Sequence, residues 1–140
     1  MTERPKGRGS VLLACLAAIA LITLLPRGTG WAWADPASEI AWYLHNPWGP
    51  TAFTQWFGNL VLLTVPAALA TVWWPGRVRL VVGVAALTAV AIETLQRLLP
   101  LGRVVSVVDV GLNVVGAVLV VIGVLAIRAL RRGGWGRLTV

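Results

Sequence analysis

The sequence contains one cysteine, Cys15, and one histidine, His45, among its 140 residues. A single cysteine cannot form a disulfide within the chain, and Cys15 lies in an apolar run, where it usually serves as a small buried hydrophobic residue. With one cysteine and one histidine, the chain offers no Ser–His or Cys–His catalytic pair and no metal cluster of the usual ligand types. We therefore predict no metal, no cofactor and no catalytic residue of these classes.

Charged residues are also scarce, at 12% of the chain, whereas 58% of the residues are hydrophobic. A soluble domain carries roughly 25% charged residues, and a core of this size could not bury so much apolar surface. Four apolar stretches cover residues 11–25, 57–74, 80–99 and 104–127. A transmembrane helix needs about 17 to 25 apolar residues, so the last three qualify and the first is short. The sequence predicts an all-α integral membrane bundle of four transmembrane helices.

The basic residues give the chain a formal charge of +7, yet they lie at the ends of the apolar runs and form no stripe suited to nucleic acid. Nine of them fall in alternate connecting segments, which the positive-inside rule places in the cytoplasm. These nine are Arg4, Lys6, Arg8, Arg77, Arg79, Arg128, Arg131, Arg132 and Arg137. We predict cytoplasmic tails at residues 1–10 and 128–140 and a four-helix membrane domain at 11–127.

The first span has an alternative interpretation, because basic residues, an apolar stretch and the triplet Ala32-Trp33-Ala34 resemble a signal peptide cleaved after Ala34. Three spans would then remain. Retention of the helix is favoured, because residues 25–34 form a long tail that carries Pro26 and Arg27, which is unusual before a cleavage site.

The loop that follows holds six tryptophan and tyrosine residues, types that prefer the lipid headgroup layer. They are Trp31, Trp33, Trp42, Tyr43, Trp48 and Trp56. Asp35 and Pro36 have the pattern of a helix N-cap and first helical residue. Asn46-Pro47 has the pattern that ends a helix. We predict a short helix over residues 36–45 on the outer interface, in a loop that anchors the protein rather than one that covers a substrate, with His45 exposed.

Polar residues are concentrated in the third and fourth spans, where they are costly. An Asp or Arg at a helix centre costs roughly 2.5 to 3.5 kcal/mol on insertion scales. Glu93, Gln96 and Arg97 are three and four residues apart and so share one face of the third helix. Asp109 and Asn113, four apart, share a face of the fourth helix in the same way.

These groups should converge in the outer half of the bilayer. At 1.5 Å per residue, Glu93 lies about 9 Å and Asp109 about 8 Å below the outer ends of their helices. Asn59 reaches the same layer from the second span, and Arg103 lies above it in the turn. The alternative is a structural network, in which Glu93 pairs with Arg97 and Asp109 with Arg103 or Asn113. A functional pocket is favoured, because buried ion pairs seldom stabilise more than apolar residues would.

The spaced set of residues resembles the VanZ-like family of membrane proteins. The matching positions are Asn59 with Pro66, Glu93 with Gln96, Arg103, Asp109, Asn113 and Gly116. A set of eight spaced residues is more specific than any pair among them. The resemblance implies a multi-pass protein of the bacterial cell envelope, in the cytoplasmic membrane, with a link to resistance against teicoplanin-type glycopeptide antibiotics.

Three classes of function are compatible with these features. The first is a non-enzymatic protein whose pocket binds a lipid headgroup, a lipid-linked glycan or a lipophilic glycopeptide, and the depth of the pocket favours it. The second is an intramembrane enzyme in which Glu93 and Asp109 share acid and base roles. The third is a lipid flippase or transporter. This function would require a homo-oligomer, because the spans are apolar in the inner half of the bilayer and a single chain offers no polar path across it. Membrane lipids are the expected partners, and nucleic acid is not.

Overall fold

A computed structural model describes the backbone of residues 7–135 and side chains as far as residue 132. Arg4, Lys6 and Arg137 of the predicted tails lie outside the described residues. In chain order the elements are α1 (Arg8–Leu24), β1 (Trp31–Trp33), α2 (Pro36–His45), α3 (Pro50–Leu62), α4 (Thr64–Trp73), a 3₁₀ turn (Pro75–Arg77), α5 (Val78–Leu98), β2 (Arg103–Val105) and α6 (Val107–Trp135).

The described residues are mostly helical, and three helical segments are long and apolar enough to cross a membrane. They are Pro50–Trp73, Pro75–Leu98 and Val107–Arg132, with mean hydropathies of 1.5, 1.9 and 2.7. The fourth apolar helix, α1, has 17 residues and is shorter. The second span begins at Pro50 rather than at residue 57, because Pro50 occupies the first turn, where its missing N–H has no cost.

The second span is broken in the middle. Helix α3 ends at Leu62 and α4 begins at Thr64, with Leu63 between them at φ −96° and ψ 2°. Pro66 explains the break, because it has no N–H for the carbonyl of Leu62 and its ring would clash with that carbonyl in a straight helix. A proline in the middle of an apolar run is a sequence signal for such a kink, and the break lies three residues before Pro66 itself.

Helix α6 is the central element and packs against α3, α4 and α5. Small residues allow the close approach: Ala117 is 1% exposed, Ala89 on α5 is fully buried, and the backbone of Gly116 lies directly against the carbonyl of Leu60 on α3. Helix packing in a membrane depends on such small residues, because lipid is as apolar as leucine and gives no hydrophobic drive between helices.

A two-stranded parallel sheet joins the segment after α1 to the segment before α6. Trp31 pairs with Arg103 and Trp33 with Val105. Gly102, at φ +64°, makes the turn into β2, and a Cβ there would lie 2.5 Å from the backbone of Gly28. No pattern in the sequence predicts this sheet, because a three-residue strand carries no recognisable periodicity.

Helix α2 covers the predicted residues 36–45. The Asp35 Oδ2 atom accepts a hydrogen bond of 2.9 Å from Ser38 N, so Asp35 is the N-cap, and this bond lowers the pKa of the Asp35 carboxyl. One face of α2 buries Glu39 and Tyr43, and the opposite face leaves Leu44 exposed. His45 is exposed as well. The helix thus directs an acidic and a phenolic side chain toward the bundle.

Candidate functional site

A cavity of about 590 Å³ opens at one end of the bundle, among the C-terminal ends of α1 and α5, the helix α3, the strand β2 and the first turn of α6. Its polar lining consists of Thr23, Arg27, Thr51, Thr54, Gln55, Asn59, Glu93, Gln96, Arg103 and Asp109. The cavity therefore brings together five of the seven residues that the sequence indicated as a pocket: Asn59, Glu93, Gln96, Arg103 and Asp109.

Three buried carboxyl groups lie around Ser106, and two of them, Glu93 and Asp109, line this cavity. Glu39, Glu93 and Asp109 are each no more than 8% exposed. The Ser106 hydroxyl donates to Glu39 Oε2 at 2.5 Å, and the Ser106 backbone N–H donates to Glu93 Oε2 at 2.8 Å. One serine therefore connects an acid on α2 with an acid on α5.

Ser106 also caps α6. Its Oγ accepts hydrogen bonds from the N–H groups of Val108 and Asp109, at 3.0 and 3.1 Å. In a capping box the acid at the third helical position bonds back to the N-cap N–H. Here the carboxyl of Glu93, on a neighbouring helix, accepts the hydrogen bond from the Ser106 N–H instead. The carboxyl of Asp109 is thus left to face the cavity.

Tyr43 closes the cluster on the side of α2. Its hydroxyl donates to Glu39 Oε1 at 2.8 Å and lies 3.4 Å from Asp109 Oδ1. Burial, together with the hydrogen bond to Glu39, raises the pKa of the Tyr43 phenol. The phenol therefore stays protonated and remains a hydrogen-bond donor between the two carboxyl groups.

Two asparagines extend the polar layer below Asp109. Asn113 Nδ2 donates to the carbonyl of Asp109 at 2.8 Å and to Asn59 Oδ1 at 3.3 Å, while Asn59 Nδ2 donates to the carbonyl of Gln55 at 3.0 Å. Asn113 is 1% exposed and does not itself line the cavity. Its Oδ1 atom is buried with no hydrogen-bond partner among the described residues. Asn113 thus orients Asn59, which does line the cavity.

Arg103 lines the cavity and also caps the end of α1. Its Nη2 donates to the carbonyls of Ile22 and Leu25 at 2.8 and 2.9 Å, and its Nε donates to Leu25 at 3.3 Å. Gln96 Nε2 makes a similar contact, 3.0 Å to the carbonyl of Thr23. These bonds satisfy carbonyls that the last turn of a helix leaves free, and they fix α1 as one wall of the cavity.

Arg97 lies outside the cavity. It is exposed, and its guanidinium carbon lies 5.2 Å from the centre of the Trp31 ring, which is a cation–π geometry. Within residues 7–132, no arginine donates a hydrogen bond to Glu93 or Asp109. The ion pairs of the alternative structural network are therefore not the contacts these arginines make.

Four contributors were not identified from the sequence: Glu39, Tyr43, Ser106 and Arg27. Ser106 had a usable signal, because Ser-x-x-Asp before an apolar run is the capping-box pattern. Glu39 and Tyr43 had a weaker one, their spacing of four residues on a short helix. In the part of the chain that the structure describes, the acidic residues do not form a group of three or more ligands arranged to hold a metal ion.

A comparison with models of protein families identifies the family of this chain. The family model described as VanZ/LLP1 matches residues 10–130, which is most of the chain. The chain belongs to the VanZ/LLP1 family. No curated protein and no solved structure matches it.

The VanZ-like residues recognised in the sequence have distinct positions in this fold. Asn59, Glu93, Gln96, Arg103 and Asp109 line the cavity, whereas Asn113, Pro66 and Gly116 act on the backbone or on other side chains around it. Pro66 accompanies the helix break and Gly116 the contact with α3. These eight residues therefore form or support one cavity in this fold.

Proposed function

We propose that this VanZ/LLP1 protein resides in a bacterial plasma membrane and binds, in its cavity, the polar headgroup of an amphiphile from the outer leaflet. The ligand would be a lipid, a lipid-linked glycan or a lipophilic glycopeptide. The observation that carries the proposal is a cavity of about 590 Å³ that is lined by carboxyl groups and arginines together. Ligand pockets commonly measure about 300 to 1,000 Å³.

The charge arrangement supports a headgroup that carries both signs. Glu93 and Asp109 offer acceptors for an amine or a hydroxyl, and Arg27 and Arg103 offer donors for a phosphate or carboxylate. Arg103 uses Nε and Nη2 for the end of α1, and among the described residues Nη1 has no acceptor, so this nitrogen is available to a ligand. The side-chain amide of Asn59 suits a sugar hydroxyl.

The same proposal includes four spans with both termini in the cytoplasm. Residues 22–34 support the retention of α1, because their backbone forms hydrogen bonds with Gln96, Leu101, Gly102, Arg103 and Val105. Basic residues support the orientation: Arg8 lies 6.0 Å from the Trp73 ring, and Arg128 donates to the carbonyl of Val72 at 2.7 Å. These contacts are at the end of the bundle opposite the cavity, which supports an outer-leaflet position for the cavity.

Topology is tested with single cysteines in a Cys15→Ala background. We expect a membrane-impermeant maleimide to label Ser38→Cys on α2 in intact cells, because Ser38 is exposed on the proposed outer side. Gly76→Cys, in the turn after α4, should be labelled only after lysis. The reverse pattern would invert the orientation, and a purified protein that begins at Asp35 would convert α1 into a cleaved signal peptide.

Headgroup binding is tested with Glu93→Gln. The glutamine oxygen can still accept the hydrogen bond from Ser106 N, so the cap of α6 should persist while the carboxyl group is lost. We expect retention of phosphatidylethanolamine from nanodiscs, measured by native mass spectrometry, to fall about tenfold, which corresponds to roughly 1.4 kcal/mol. Cellular tolerance of teicoplanin should fall in parallel, with insertion and thermal stability unchanged.

Arg97→Gln is the matched control, since Arg97 lies one turn along the same helix but contacts Trp31 outside the cavity. Its lipid retention should stay within about twofold of the unmodified protein, because loss of an exposed cation–π contact costs only about 0.5 to 1 kcal/mol of stability. Equal retention by Glu93→Gln and the unmodified protein would refute the headgroup site. An equal loss in Arg97→Gln would show that the effect is not specific to the cavity.

A further inference from the structure

The cavity has an acidic end, where two carboxyl groups meet few hydrogen-bond donors. Glu93 Oε2 accepts the N–H of Ser106, and Asp109 Oδ1 has only the Tyr43 hydroxyl, 3.4 Å away. Among the described residues, no hydrogen bond reaches the other oxygen of either acid, Glu93 Oε1 or Asp109 Oδ2. Both residues line the cavity although they are only 8% and 6% exposed. Two buried acids, one on α5 and one on α6, therefore present an acceptor without a donor at the cavity.

These two oxygens are open to the cavity rather than sealed within the protein. In the described part of the chain, the sealed polar atom that has no partner is Asn113 Oδ1. Asn59 lies beside the Asp109 carboxyl, but its Nδ2 donates to the carbonyl of Gln55. A buried acceptor without a donor is costly. A ligand that donates to Glu93 and Asp109 would satisfy acceptors that no side chain satisfies.

No cation of the described chain neutralises this end of the cavity. Arg103 directs Nε and Nη2 to carbonyls at the end of α1, and within residues 7–132 no arginine donates a hydrogen bond to an acid of the cluster. Helix α3 presents only neutral side chains to the cavity. Neighbouring carboxyl groups away from water share a proton unless a cation compensates, so the cluster retains one. The titratable groups that surround it are Glu39 and Tyr43 on α2, Glu93 on α5, Asp109 on α6, Arg27 after α1 and Arg103 on β2.

The hydrogen bonds indicate which acid carries this proton. Glu39 accepts two hydroxyl groups, from Tyr43 at 2.8 Å and from Ser106 at 2.5 Å, and Glu93 accepts the Ser106 N–H at 2.8 Å. Such donors stabilise a carboxylate. The contact of Asp109 with Tyr43 is longer than the 2.5 to 3.0 Å of a typical O–H···O bond, and the single phenolic proton already serves Glu39. Asp109 is therefore the acid with the least support for a negative charge.

We propose that the acidic end of the cavity binds the primary amine of a headgroup in exchange for a proton held by Asp109. The inference rests on the proposed headgroup site, and it names the ligand class and the dependence of binding on pH. The O–H bond of the Asp109 carboxyl breaks, the proton leaves to water at the mouth of the cavity, and the ammonium donates to Asp109 Oδ2 and Glu93 Oε1. An ammonium offers three donors and a positive charge, which a hydroxyl does not. Because proton and amine compete for one carboxylate, affinity should rise with pH.

The test is isothermal titration calorimetry of the full-length protein in detergent with dihexanoyl phosphatidylethanolamine, a short lipid that dissolves as a monomer. Buffers of different ionisation enthalpy report the number of protons released. We expect about one proton per bound lipid, and a Kd that falls by up to about tenfold per pH unit as the pH rises toward neutral. Dihexanoyl phosphatidylglycerol, which has hydroxyls in place of the amine, should bind more weakly and release no proton.

Two variants assign the proton. Asp109→Asn should weaken binding and abolish both the proton release and the pH dependence. Glu39→Gln should lower the proton release although Glu39 does not line the cavity, because Asp109 can ionise before the ligand arrives once one neighbouring acid is gone. Asp35→Asn is the control, since Asp35 is outside the cavity and asparagine is an equally good N-cap of α2. It should release as many protons as the unmodified protein.

The outcomes separate this inference from the proposed function. Binding of phosphatidylethanolamine that is independent of pH and releases no proton, yet is still weakened by Glu93→Gln, would overturn the exchange and leave the headgroup site standing. Equal affinity for phosphatidylglycerol would overturn the amine as the ligand. Equal affinity for free phosphoethanolamine would support the exchange but refute a lipid as the source of the amine. No binding of any of the three would remove the headgroup site itself.

Discussion

Replacing Gly116 with alanine is expected to destabilise the bundle by roughly 1 to 3 kcal/mol, the usual cost of forcing extra atoms into a packed interior. A Cβ at this position would overlap the carbonyl oxygen of Leu60, which belongs to the backbone of α3 and cannot rotate away. Helices α3 and α6 would have to separate, and Asn59 and Asn113 connect the two helices one turn away. Titration with dodecyl sulfate in mixed micelles would measure this loss as a decrease in the free energy of unfolding.

Gly111→Ala is the matched control on the same helix. Gly111 is exposed, and nothing lies within 4 Å of the position its Cβ would occupy. Alanine there should be neutral or stabilise α6 by up to about 1 kcal/mol, because glycine loses more conformational freedom in a helix. The effects of the two Gly→Ala changes on the free energy of unfolding should therefore have opposite signs or differ strongly in size. Equal effects would mean that contact with Leu60 does not limit the packing of α6.

Glu39→Ala should have the second large effect, a loss of roughly 2 to 4 kcal/mol. The change removes the acceptor of two buried hydrogen bonds, from the hydroxyls of Ser106 and Tyr43, and an unsatisfied buried donor costs about 1 to 3 kcal/mol. Relief of repulsion with Asp109 offsets only part of this loss. Helix α2 should detach from the bundle, which hydrogen exchange of residues 36–45 would detect as faster exchange.

Glu39→Gln distinguishes the hydrogen bonds from the charge. The glutamine keeps the shape and one acceptor oxygen, while it removes one of three neighbouring carboxyl groups. We expect its stability to lie within about 1 kcal/mol of the unmodified protein, with α2 still protected from exchange. If Glu39→Ala proved as stable as Glu39→Gln, the contacts with Ser106 and Tyr43 would not be what holds α2.

Much of the fold and part of the cavity could be predicted because their signals are local. Apolar runs identify the spans, Pro66 predicts the break, Asp35 predicts the start of α2, and spacings of three and four residues group Glu93 with Gln96. Each of these features depends on residues within one or two helical turns of one another. The cavity lining at Glu93, Gln96 and Asp109 follows from such spacings together with the short turn that joins α5 to α6.

The rest depends on contacts between distant segments. Glu39 meets Ser106 from 67 positions away, and no pattern near either residue indicates the other. The strands β1 and β2 are too short to give a periodicity. Arg97 shares a helix face with Glu93, but its long side chain extends to the Trp31 ring outside the cavity. Helical spacing alone therefore assigned Arg97 to the pocket and gave no indication that Glu39 belongs to the site.

The hydrogen bonds from Arg103 to the end of α1 determine when the cavity can form during biosynthesis. Arg103 and Leu25 are 78 positions apart in the chain, and the strand that carries Arg103 directly precedes α6. A chain is synthesised from its N-terminus, so the last carbonyls of α1 are without the guanidinium of Arg103 until β2 has been made. Helix α1 can pack against α4 and α5 before that point, but a ribosome stalled before β2 would carry α1 to α5 without the strand and the first turn of α6 that complete the cavity.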